Sequence, residues 1–149
     1  MKYLFVSLLF IFCFHYSYSQ SETIEGAFNQ IKAKINGSDR DCYVVKYLTG
    51  DLDGDGQTDG LAFYACGIKG NAGNASAGQG WAVFLKKQGK FFHKLTDEET
   101  FGIIPLYIQA NGVVVSEQLE HAKDDPNCCP SIKKTRKVQL KNNTLVIIQ

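Results

Sequence analysis

The residues best equipped for chemistry sit together in Asp51-Leu52-Asp53-Gly54-Asp55-Gly56-Gln57-Thr58-Asp59. Carboxylates at 51, 53, 55 and 59, with glycine at 54 and 56, suit a tight loop that turns its oxygens inward. A hard cation such as calcium takes about six to eight oxygen ligands from such a loop. Counted as an EF-hand loop, Asp51, Asp53 and Asp55 fill the first, third and fifth ligand positions. Gln57 offers its backbone carbonyl at the seventh, and Asp59 serves at the ninth, directly or through water. Asp and Gly favour turns without any ion. Four carboxylates this close repel one another, however, and a cation removes the repulsion. Magnesium fits less well, because it takes fewer carboxylates and keeps more water. The twelfth position is Ala62, where an EF-hand needs a bidentate Glu, and both flanks read as strands. The expected role of the ion is to staple two strands together.

No second constellation of this quality appears. The chain lacks GxSxG, HExxH and GxxxxGK[ST] patterns. His93, His121, Glu117 and Glu120 are the candidates for acid–base work. In a strand, Glu117 and Glu120 point to opposite faces and make no pair. The glycine-rich stretch 67–80 reads as a long loop, as does 121–130, which contains Asp124, Asp125, Cys128 and Cys129. A rival reading, a small secreted hydrolase or enzyme inhibitor, would use these two loops as a binding rim. A basic set at Lys133, Lys134, Arg136 and Lys137 is a candidate partner surface on a solvated strand face.

The chain opens Met1-Lys2-Tyr3, runs apolar through Leu4-Phe5-Val6 and Leu8 to Phe12, and reaches small residues at Ser17 and Ser19. This is the pattern of a signal peptide over 1–19, cleaved before Gln20. The apolar run falls short of the roughly 20 residues needed to span a bilayer. Residues 20–149 then form a single secreted or periplasmic domain that does not insert into membranes. The formal net charge is +1, and the loss of Lys2 brings it near zero. With no dense basic run, nucleic acid is not an expected partner. The expected partner is a protein or a surface ligand. Cys42, Cys66, Cys128 and Cys129 remain after cleavage and read as two disulfides. A bond between adjacent cysteines is sterically awkward, so Cys128 and Cys129 are each expected to reach back to Cys42 or Cys66.

One helix is expected over 21–35, where Ile24, Phe28, Ile31 and Ile35 share a face. Ser21 is its expected N-cap and Asn36-Gly37 its stop. After residue 41, short strands follow one another at 42–48, 61–66, 81–85, 91–95, 103–108, 113–119, 132–140 and 144–148. Asn111-Gly112 and Asn142-Asn143 are hairpin turns, and Pro105 belongs at a strand edge or bulge. The expected fold is α+β: the helix packed on one curved antiparallel meander of seven or eight strands, stapled by disulfides.

Two resemblances sit beside this reading. The acidic loop, with a strand after its last Asp, resembles the DxDGDGxxD loops of FG-GAP-type repeats, although it occurs once. Asp124-Asp125-Pro126-Asn127-Cys128-Cys129-Pro130-Ser131, followed by a basic strand, looks like the C-terminal part of bacterial secreted proteins and lipoproteins of the LppP/LprE type. That resemblance covers about residues 41–140 and implies an exported location and a shared fold. It implies no reaction. The chain has no lipobox cysteine at the cleavage site, which implies a free secreted or periplasmic form.

Overall fold

An amphipathic stripe needs a sheet to lie on, and the computed structural model supplies two sheets in three layers. It describes residues 20–70, 76–98, 102–127 and 129–149, apart from the side chains of Gln20 and Ser76. The expected signal peptide and Cys128 lie outside these residues. Helix α1 spans Ile24–Asn36 and buries Ala27, Phe28, Ile31 and Ile35. Its N-cap is Thr23, whose hydroxyl accepts from the Gly26 N–H at 3.0 Å. This corrects the expectation of Ser21. Gln20–Ser21 forms a two-residue strand, β1, that pairs with Phe92 and Phe91. Gly37 ends the helix in a left-handed conformation, φ 60°, as Asn36-Gly37 foretold.

The first sheet also contains β2 (Arg40–Gly50), β3 (Asp59–Ile68), β4 (Ser76–Lys87) and β5 (Lys90–Asp97), in the order β1-β5-β4-β3-β2. The second contains β6 (Ile103–Ile108), β7 (Val114–Glu120), β8 (Ile132–Lys141) and β9 (Thr144–Ile147), in sequence order. Every pairing is antiparallel. The α+β class and the hairpin connections therefore hold, while the single curved meander becomes two packed sheets.

The reason is visible on β3, which is buried along almost its whole length. Ala62, Tyr64 and Cys66 pack under α1 with Phe28, Phe84 and Phe91. Leu61 and Phe63 face the other way, into a core with Trp81, Val83, Val114 and Val138 from both sheets. A strand apolar on both faces needs a cover on each. The Trp81 indole N–H is satisfied by the Ile103 carbonyl at 3.0 Å, which ties β4 to the start of the second sheet.

Much of the glycine-rich stretch read as a loop over 67–80 is strand, because β4 begins at Ser76. Tyr64 is fully buried, and a Cβ on Gly80 would lie 2.6 Å from its hydroxyl oxygen. Glycine makes room there for the ring. Only 69–75 connect the strands, and 71–75 lie outside the described residues.

The tight turns follow local chemistry. Gln88-Gly89 and Asn142-Asn143 have positive φ at both positions, as two-residue hairpins require. Pro105 sits on edge strand β6 at a register shift. The cysteine pairing departs from expectation. Cys42 and Cys66 are opposite each other on β2 and β3 and form a disulfide. Neither therefore reaches Cys128 or Cys129. Cys129 is also disulfide-bonded, and its partner is not among the described residues. Direct cross-strand placement gives Cys42 and Cys66 the nearest available partner.

Candidate metal centre

The acidic loop connects β2 to β3, so its two ends are fixed by the same antiparallel pair, Gly50 opposite Asp59. Three further contacts set its shape. Leu52, its lone apolar residue, is buried in the core between the sheets. Asp59, fully buried at the start of β3, accepts from the Leu52 N–H at 2.9 Å and from the Lys86 N–H of β4 at 2.8 Å. The Asn111-Gly112 turn of the second sheet closes over the loop backbone.

Inside the loop, Asp51 accepts from the backbone N–H groups of Gly54 (2.7 Å), Asp55 (3.1 Å) and Gly56 (2.9 Å). Asp53 accepts from Asp55 at 3.2 Å. The Asp55 carboxylate turns towards Gln57, accepting from its backbone N–H at 2.8 Å and its amide at 3.2 Å. One oxygen each from Asp51, Asp53 and Asp59 lies within 4.8 Å of the others. The grouping thus brings together three of the five residues singled out from the sequence and leaves Asp55 and Gln57 outside it.

Burial pushes the Asp59 carboxyl above its usual range, and nearby Asp53 and Asp55 push it further. The two backbone N–H bonds act in the opposite direction and moderate the shift. A desolvated carboxylate facing like charges is a group whose ionised form a cation would favour. This preference is electrostatic only and identifies no particular ion.

Sequence reasoning missed Leu52, Lys86 and Gly112. A lone leucine in an acidic run was a legible signal of anchoring. Nothing local marks Lys86 or Gly112 as loop partners. Gly112 has φ 74°, and a Cβ there would lie 2.7 Å from the Asp51 carbonyl oxygen. Gly54 also has positive φ, 82°, but open space around it. Gly112→Ala is therefore expected to cost more than Gly54→Ala, which should lose only about 1 kcal/mol for the backbone conformation. Thermal melts of the two variants compare them directly. Equal losses would mean that the turn does not support the loop.

The other singled-out residues scatter. Glu117 pairs with Lys133 at 3.1 Å, while Glu120 pairs with Lys134 and with Arg136 at 2.9 Å. Arg136 also donates to Gln118 at 2.6 Å. These pairs lie on opposite faces of β7 and β8, as the alternation of Glu117 and Glu120 requires. Three of the four basic residues are thus tied to carboxylates, and the set is divided between two faces. In the 121–130 segment, Asp125 accepts from the Ala122 and Ser131 N–H groups, each at 2.7 Å, and those bonds hold its carboxyl below the usual range. That segment is closed by its own aspartate. His121, in the same segment, also helps to lower the pKa of the Asp125 carboxyl, while His93 lies on β5 of the other sheet.

Compared with protein-family models, curated proteins and solved structures, the chain matches none.

Proposed function

We propose that this protein is an exported binding module whose Asp51–Asp59 loop holds a structural calcium ion. The observation that carries the reading is the convergence of Asp51, Asp53 and Asp59 in a loop anchored by Leu52 and the buried Asp59. A hard divalent ion would meet carboxylate oxygens already brought together. Asp55 and the Gln57 carbonyl would complete the shell after a local turn of the Asp55 side chain. The ion would then join the ends of β2 and β3, the strands already linked by Cys42–Cys66. The disulfide suits an oxidising compartment, in line with the expected signal peptide and the LppP/LprE resemblance. Among the described residues no helix is long and apolar enough to cross a membrane.

Calorimetric titration of the chelator-treated protein with calcium tests the metal. Binding is expected by about 1 mM calcium, the range of extracellular calcium modules. Thermal stability should rise by about 2.7 kcal/mol at a hundredfold excess over the dissociation constant. Asp53→Ala and Asp55→Ala should each abolish the rise, and His121→Ala should leave it intact. No heat and no shift at millimolar calcium would end the proposal.

A further inference from the structure

The binding-module reading names no surface, and the outer edge of β5 offers one. β1 already docks on that edge, antiparallel, with Gln20 opposite Phe92 and Ser21 opposite Phe91. Beyond Phe92 no strand pairs with this edge among the described residues, and the expected cleavage before Gln20 would leave nothing of the mature chain to continue β1 along it. Beside it runs a cavity of about 660 Å³ between α1 and the β8–β9 turn. That volume is within the range of ligand-binding clefts, about 300–1,000 Å³. Its apolar walls come from Ile31 and Ile35 of α1 on one side, and from Leu95 and Leu145 on the other. Arg40 closes one end, donating to the Ile35 carbonyl at 2.7 Å and pairing with Glu98 at 3.1 Å.

The charge beside the edge is uneven. Arg40 and Glu98 neutralise each other, and Asp97 also lines the cavity, so the positive excess along this edge is that of one lysine. Lys34 lines the cavity, and burial, helped by the Lys34 charge, lowers the pKa of His93. Lys94 is exposed at a bulge of β5, where His93 and Leu95 face consecutive residues of β4. Neither lysine has a carboxylate partner among the described residues. The remaining long edges are occupied differently. Lys46 of β2 donates to the carbonyls of Pro105 (3.4 Å) and Leu106 (2.8 Å) on β6, tying those two edges to each other.

We infer that the groove along His93–Thr96 takes an extended acidic peptide, which adds to the first sheet as a strand in line with β1. Backbone pairing would supply the affinity, and alternate side chains would divide between the two walls. Carboxylates would point to Lys34 and Lys94, and apolar side chains to Leu95 and Leu145. This inference rests on the binding-module reading but is independent of the metal.

The test uses the secreted chain, kept in chelator so that the peptide cannot compete for calcium. Acetylated, amidated (Glu-Val)₄ and (Lys-Val)₄ peptides are titrated into isotope-labelled protein and followed by amide NMR. The glutamate peptide is expected to shift the amides of His93–Thr96 and Leu145 and to slow their hydrogen exchange. Lys34→Glu should weaken it about tenfold, a loss of about 1.4 kcal/mol, and Lys137→Glu should not weaken it. Thr96→Pro, at an exposed edge position, should abolish it while the melt stays cooperative. Equal binding of the lysine peptide would overturn the inference, as would shifts at β2 or β6, concentration-dependent self-association through β5, or no binding at about 1 mM. Any of these would leave the calcium titration, and the module reading that it tests, where it stood.

Discussion

Asp59→Ala is expected to lose about 3 kcal/mol of stability in the presence of chelator, a fall in melting temperature of about 10 °C. The cause is geometric. The Asp59 carboxylate is fully buried and satisfies two backbone N–H groups, of Leu52 and Lys86, from different segments. Removing it leaves both donors without a partner in the interior, at about 1–3 kcal/mol each. Asp59→Asn keeps one acceptor oxygen and should lose about half as much. Asp51→Ala removes bonds to exposed loop N–H groups that water can replace, so its loss in chelator should be smaller. If Asp59→Ala destabilised only in calcium, the carboxylate would be a ligand and not a clamp.

The pH dependence of the same residue has a definite sign. Its folded pKa lies above the usual 3.8, so over that window the folded chain holds a proton that the unfolded chain has released. Its contribution to stability is full below 3.8 and is lost as pH rises through the raised value. Asp125 works in the opposite sense: its lowered pKa gives stability that is lost on acidification. The difference between the native protein and Asp59→Asn, melted across mildly acid pH in chelator, isolates the first contribution. Calcium should remove it by favouring the charged form. A difference that rises with pH in chelator would contradict the assignment.

Removing the Cys42–Cys66 bond is the second large effect expected. The bond joins residues 24 apart, and closing a loop of that size stabilises by about 3.5 kcal/mol in the chain-entropy model. The double variant Cys42→Ala/Cys66→Ala should therefore unfold at markedly lower urea. Its far-UV circular dichroism should stay native, because β2 and β3 remain paired from Arg40 to Gly50. Reducing agent also opens the bond at Cys129, so reduction of the double variant measures that second bond separately. The closed loop contains the whole acidic segment, so the double variant should also bind calcium more weakly. An unchanged urea midpoint would show that the strand pairing alone holds this region.

The helix illustrates what was legible. Its apolar stripe and Gly37 stop were readable because both depend on residues within a turn of each other. Its start was misread because Ser21 is drawn into a strand by Phe91, a residue far away in sequence. Glycines at 67–80 suggested a loop, since composition says nothing of the Tyr64 ring that needs the space at Gly80. Turns at Asn111-Gly112 and Asn142-Asn143 were legible because backbone conformation there is a local property.

By itself, the sequence determined the acidic loop, the stripe, the strand periods and the turns, all short-range consequences of side-chain alternation and backbone freedom. Only the tertiary structure decided that the strands divide into two sheets, that Cys42 faces Cys66, and that Asp59 grips Lys86. Those choices depend on which distant surfaces bury one another best, and β3, apolar on both faces, could be satisfied only between two layers.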